Sequence, residues 1–168
     1  MSSKNNYWNT KRVARIAIFT SIAILGSFLK LPSPTGTVAL DSAPGFFAAA
    51  AWGYLEGGLV ISAGHLISSA IVGFPLGVLH LPIALIMIFA AALFRAGIRK
   101  IPEKYKLNQI TGTLTAGSFN GLAGIILAPA LGWGMAIGIT PSLIVASFIN
   151  VIVAITVYNI LKETKYIK

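Results

Sequence analysis

The stretch Val13–Leu29 reads VARIAIFTSIAILGSFL, with Lys4, Lys11 and Arg12 before it and Arg15 in its first turn. An apolar run of this length crosses roughly 30 Å of hydrocarbon, and basic residues at its start mark the cytoplasmic side. The rest of the chain has the same character. Of its 168 residues, 56% are hydrophobic and 10% charged, and the mean hydropathy is +0.83. Polar surface is too scarce to coat a water-soluble globule, so the chain is expected in lipid. Apolar segments recur from Val13 to Leu161, which predicts a retained first helix rather than a cleaved secretory signal.

Outward from this first span, Lys30–Ser42 carries Pro32, Pro34 and Gly36 and is expected to be an ordered extramembrane loop. A second helix is predicted from an N-cap at Asp41 or Ser42 to Leu55, with Pro44 in its first turn and a turn at Glu56-Gly57-Gly58. A third is predicted over Leu59–Val72, ending at Gly73–Gly77, and a fourth over Leu81–Phe94. The connector that follows holds Arg95, Arg99, Lys100, Lys104 and Lys106. A fifth helix is predicted over Thr113–Leu131, a turn at Gly132-Trp133-Gly134, and a sixth helix over Pro141–Leu161, trailed by Lys162, Lys165 and Lys168.

This pattern predicts an all-α integral membrane bundle of about six transmembrane helices in a single multi-pass domain. The N-terminal tail (about 1–11), the basic loop (about 95–110) and the C-terminal tail (about 162–168) fall on the cytoplasmic side of the cell membrane, which collects every basic residue except Lys30. The formal charge of +9 is read as this topology signal rather than as a nucleic-acid footprint. Absence of cysteine excludes disulfides and thiolate metal sites or nucleophiles. No His-x-x-x-His, Gly-x-Ser-x-Gly or Gly-Lys-Ser/Thr motif occurs, so metalloprotease, hydrolase and nucleotide-hydrolysing chemistries lack their minimum parts. No cofactor, metal or catalytic residue is expected.

The polar residues that remain are few. His65 lies mid-span, and Asn120 and Asn150 lie near the centres of their helices, so each must find a partner or a ligand inside the bundle. Asp41, His80 and Trp133 share the predicted outer side, where their alternatives are an N-cap and interfacial anchors. These six are the candidate substrate-binding residues. Lys30 is the sole cation on that side, so a neutral or weakly charged ligand fits better than a phosphate. Phe46, Phe47, Trp52, Tyr54, Phe74 and Trp133 are candidate stacking surfaces for a planar ring. Small residues Ala14, Ala17 and Ser21 on the first helix, and Gly117 and Gly121 on the fifth, mark close helix approaches.

With about six short helices, basic inner termini, a small-residue first helix and a long first outer loop, the chain resembles the substrate-binding S component of energy-coupling factor (ECF) vitamin transporters. The segments Leu40–Phe46, Gly64–Ala70 and Gly73–Gly77 look like the branch associated with α-ribazole, the nucleoside precursor of the cobalamin lower ligand. The resemblance covers essentially the whole chain. It implies a non-enzymatic subunit that captures a vitamin precursor outside and associates with a transmembrane coupling subunit and two ATPases. The family's Ala-x-x-x-Ala contact pattern has its nearest equivalent here in Ala17 and Ser21, which places Ala14, Ala17 and Ser21 as candidate coupling-subunit contacts. S components for pyrimidine, pantothenate-like or corrinoid ligands satisfy the same composition. In different classes stand a small membrane enzyme using His65 with Asp41 or Glu56, and a self-contained facilitator.

Overall fold

The computed structural model describes residues 8–103, 106–165 and 167. Lys4, Lys104 and Lys168, three of the expected topology signals, lie outside the described residues. Among the described residues the fold is all-helical, without a β-strand. The helices are α1 (Thr10–Gly26), α2 (Ala43–Ala51), α3 (Tyr54–Ile71), α4 (His80–Lys100), α5 (Leu107–Gly121), α6 (Ala123–Ile126), α7 (Ala128–Leu131) and α8 (Trp133–Leu161), with a 3-10 turn at Gly77–Leu79 before α4.

Several boundaries differ from the expected ones for identifiable reasons. The second helix ends at Ala51 rather than Leu55, and the chain breaks at Gly53, whose φ of 152° lies where residues with a Cβ rarely go. Glu56-Gly57-Gly58 therefore belongs to the first turns of α3. Gly57 is required there because a Cβ would collide with Ala49 of α2. The basic connector is half helical, since α4 continues through Arg95, Arg99 and Lys100. The expected fifth helix is three pieces, with Pro129 in the first turn of α7, where its missing N–H costs no helical bond. The last helix starts at Trp133, eight positions before Pro141, which sits inside it.

Helix α2 is the centre of the bundle. Pro44 through Ala51 are all buried, and the helix touches α1, α3, α4 and α8. Nine residues are too few to carry its orphan end groups out of the bundle, so those groups must be met by side chains. At the N-terminus Asn150 Oδ1 accepts from the backbone N–H of Ser42 at 3.1 Å and of Ala43 at 2.8 Å. Its Nδ2 donates to Ala39 O at 3.2 Å and to Ala146 O at 2.9 Å. At the C-terminus Arg95 donates to Ala49 O at 2.6 Å and Arg99 to Ala50 O at 3.1 Å. Both guanidinium groups sit at the negative end of the helix dipole.

Helices α1 and α3 run side by side in the same direction, so Arg12 near the start of α1 pairs with buried Glu56 at the start of α3 at 2.8 Å. Helices α5 and α8 run oppositely, so Gln109 at the start of α5 exchanges two 3.0 Å hydrogen bonds with Asn159 near the end of α8. This end holds the described basic residues except Lys30, which lies in the loop at the opposite end. Gly117 and Gly121 pack against Phe148 and Ile144 of α8.

Among the described residues two helical segments, Gly77–Lys100 and Trp133–Leu161, are long and apolar enough to cross a membrane. Leu81, Leu85, Phe89 and Leu93 expose an apolar stripe at every fourth position of α4, and Val145, Ile152, Val153 and Ile160 are exposed on α8. His80, Asn108, Asn120, Ser147 and Asn150 point inward and are buried. This inside-out distribution suits hydrocarbon rather than water.

Replacing Asn150 by Ala removes the partner of the Ser42 and Ala43 N–H groups and of the Ala39 carbonyl and is expected to cost about 3 kcal/mol. Asn159→Ala, which loses a partner at the periphery, is expected to cost under about 1 kcal/mol. Thermal unfolding of the two variants in detergent checks the order, and an equal loss would contradict the capping role.

Candidate functional site

A cavity of about 70 Å³ lies at the end remote from the basic residues. Its walls come from the Lys30–Ser42 loop, α3, the start of α4, the end of α5, α6, α7 and α8. The loop is ordered as expected. Leu31 N–H donates to Val38 O at 2.9 Å, Leu40 N–H to Leu29 O at 3.1 Å, and Lys30 and Ala39 form an isolated bridge. Val38 packs against Ile139 and Ala146 of α8, and Ser142 of α8 donates to Pro32 O. Thr37, Val38 and Ala39 of this loop close one wall of the cavity.

Five of the six expected binding residues, Asp41, His65, His80, Asn120 and Asn150, line this space. Trp133, the sixth, does not, and it is 63% exposed at the start of α8. The five differ in what they have left to offer. Asn150 uses both amide ends on the backbone around α2. Asn120 donates to Ser147 Oγ at 2.9 Å, and its carbonyl oxygen makes no hydrogen bond among the described residues. Asp41 Oδ1 accepts from Ser42 Oγ at 3.4 Å, while Oδ2 stands 3.9 Å from His65 Nδ1, within ion-pair range and beyond direct hydrogen-bond reach.

The hydrogen-bond network sets the tautomers of the two histidines. Leu76 N–H approaches His80 Nε2 at 3.4 Å, so that nitrogen is the acceptor and the proton of the neutral ring sits on Nδ1. Nδ1 faces Ser69 Oγ at 2.9 Å and His65 Nε2 at 3.2 Å. His65 Nε2 then accepts, and its own Nδ1–H faces Asp41. The result is a directed chain from Leu76 through His80 to His65, with the Asp41 carboxyl 3.9 Å beyond its far nitrogen. Burial pushes the Asp41 carboxyl up to about 6, against the lowering effect of hydrogen bonds from its own backbone and from Ser42.

The remaining walls are aliphatic, including Ile83, Met87, Ile139 and Leu143. Phe46, Phe47, Trp52, Tyr54 and Phe74, expected as stacking surfaces, do not line the cavity. Phe47 and Trp52 cluster instead with Phe19 between α1 and α2, and Phe46 meets Phe94 edge-on at 5.6 Å. The imidazoles of His65 and His80 are the planar groups present. Among the described residues no Lys or Arg lines the cavity; Lys30 borders an adjoining recess that shares Thr37, Asp41 and His65. Glu56 is committed to Arg12, far from His65 along α3. Among the described residues no three acidic or histidine side chains converge as a metal site.

Thr37, Ser69 and Ser147 were not among the expected site residues. Ser69 lies four positions after His65 and Ser147 three before Asn150, so each shares a helix face with a residue already singled out. Thr37, in a loop, carries no such periodic signal. Comparison with protein-family models, with curated proteins and with solved structures returns no match for this chain.

The Asp41 carboxyl is expected to titrate near 6 when followed by carbon NMR of the labelled side chain, and higher in Ser42→Ala, which removes a hydrogen bond to the charged form. Because the folded carboxyl holds its proton more tightly than an unfolded one at 3.8, its contribution to stability is fullest below that value and is lost as pH rises through about 6. A titration in the ordinary carboxylate range would contradict the burial.

Proposed function

We propose that the chain is a multi-pass membrane protein that binds a small molecule at its outer end, as the S component of an ECF-type ATP-driven importer, with α-ribazole as its ligand. The observation that carries this reading is the convergence of Asp41, His65, His80 and Asn120 on one buried cavity beneath the Lys30–Ser42 loop. The basic residues at the far end support an orientation with both termini on the cytoplasmic side of the cell membrane. The lining offers hydrogen-bond acceptors, imidazole faces and aliphatic walls without a cationic clamp, which suits an uncharged nucleoside better than a phosphate. Ala14, Ala17 and Ser21 are exposed on α1, a small-residue face for a transmembrane coupling subunit, which with two ATPases would supply the energy.

The cavity of about 70 Å³ holds roughly five water molecules, and pockets for ligands of this size run to about 300 Å³ or more. Ligand entry therefore requires the Lys30–Ser42 loop, the non-helical wall, to move. S components for pyrimidine, pantothenate-like or corrinoid ligands are the alternatives within the same class. One observation favours a second reading, a small membrane enzyme: hydrogen-bonded His65 and His80 stand beside the Asp41 carboxyl, which lies within ion-pair range of His65, a grouping of acid and base side chains. A His65→Ala variant that binds a substrate but no longer turns it over would select that reading.

Calorimetry on the purified protein is expected to give tight one-to-one binding of α-ribazole, weakened at least about tenfold in Asp41→Asn, the loss of one good hydrogen bond. Absence of binding would remove α-ribazole and direct the test to the other precursors. Uptake by cells lacking any coupling subunit and ATPase would overturn the importer reading and favour a facilitator.

A further inference from the structure

Helices α1 and α8 flank an apolar groove floored by α2. Phe19, Ile22 and Leu25 form one wall and Val153 and Val157 the other, with Pro44 and Phe47 beneath. Phe19 and Phe47 also line the recess that continues the groove to the basic end of the bundle, where Lys11, Arg15, Trp52 and Lys165 surround its mouth. Among the described residues no carboxylate lines either part. The Arg15 guanidinium lies 4.8 Å from the Trp52 ring centre, which holds its charge at the mouth. From Lys11 to Gly26 the groove follows α1 for about 22 Å at about 1.5 Å per residue, longer than the roughly 15 Å depth of one leaflet. Ala14, Ala17 and Ser21 do not line it, so it is a surface separate from the small-residue face.

We propose that this groove binds an anionic phospholipid, with its headgroup phosphate against Lys11, Arg15 and Lys165 and one acyl chain lying along Ile22, Leu25, Val153 and Val157. The proposal rests on the reading of a multi-pass membrane protein, which puts the basic mouth at the cytoplasmic leaflet. The argument is charge complementarity joined to shape: a trough apolar along its length, with cations at one end alone, matches a lipid's own division into headgroup and tail. A transmembrane helix from a partner would be apolar at that depth as well, but it would have no need of three cations at one mouth.

The test uses the full chain in neutral detergent, titrated with phosphatidylglycerol or phosphatidylcholine, with bound lipid counted by native mass spectrometry. The wild type is expected to prefer phosphatidylglycerol. A variant carrying Lys11→Gln, Arg15→Gln and Lys165→Gln is expected to lose on the order of a hundredfold in that affinity. A control carrying Lys100→Gln and Lys106→Gln, at the same end but outside the groove, is expected to keep it. Val157→Trp, which fills the trough at an exposed position, is expected to lower occupancy by both lipids without lowering the melting temperature in pure detergent. Equal losses in the triple variant and the control, or no preference in the wild type, would overturn the proposal, as would a polypeptide captured by a photoreactive side chain at Val153. A chain that stays folded and monodisperse without detergent would defeat the membrane reading itself, an outcome distinct from these.

Discussion

A helix of nine residues with both ends inside a bundle has a backbone problem before it has a packing problem. The ends of α2 present N–H and C=O groups that neither water nor the next turn can satisfy, and each would cost about 1–3 kcal/mol if left bare. Asn150 meets one end and Arg95 and Arg99 the other. Because these caps come from α8 and α4, meeting the backbone of α2 also fixes where those helices stand. The Ala- and Gly-rich sequence of α2 then lets its neighbours close on it, and Gly57 of α3 comes directly against Ala49.

The same constraint builds the cavity wall. Asn150 lines the space but commits its whole amide to the backbone, so it positions the Lys30–Ser42 loop and the start of α2 rather than offering a hand to a ligand. Asp41, His65 and Asn120 keep capacity in reserve. A buried carboxyl facing a neutral imidazole, and an amide oxygen without a partner among the described residues, are arrangements a purely structural core would avoid. Fold-holding and cavity-facing polar groups thus sit side by side and are told apart by how many of their hydrogen bonds are already made.

The basic end divides in a similar way. Arg12 neutralises the buried Glu56, Arg95 and Arg99 cap α2, and Lys11, Arg15 and Lys165 surround the mouth of the groove between α1 and α8. A positive charge near a membrane surface can serve as a topology signal and a structural partner at once. A bias counted over loops does not distinguish the two uses.

Much of the architecture was legible in the chain itself. Apolar runs at helical length, basic clusters at alternate ends and a Pro/Gly-rich first loop are local signals, and they set the all-helical class, the order of the main helices and the polarity of the two ends. The breaks at Gly53 and around Pro129 were harder to read, since a glycine or proline permits a break without demanding one. His65, Asn120 and Asn150 were legible as residues that apolar surroundings oblige to find partners, and Asp41 and His80 as polar groups sharing the predicted outer side. Which partners they found was not, nor was the absence of aromatic walls from the cavity. Ser42 and Asn150 are 108 residues apart, and hydrogen-bond partnership across that separation depends on helix rotation and depth, which hydropathy does not encode. Composition and periodicity by themselves determined a helical chain turned outward to an apolar surrounding. Only the tertiary structure decided that Asn150 holds the backbone while Asp41 and His65 face a cavity, because an inward-facing polar group must be satisfied but its sequence does not say by what.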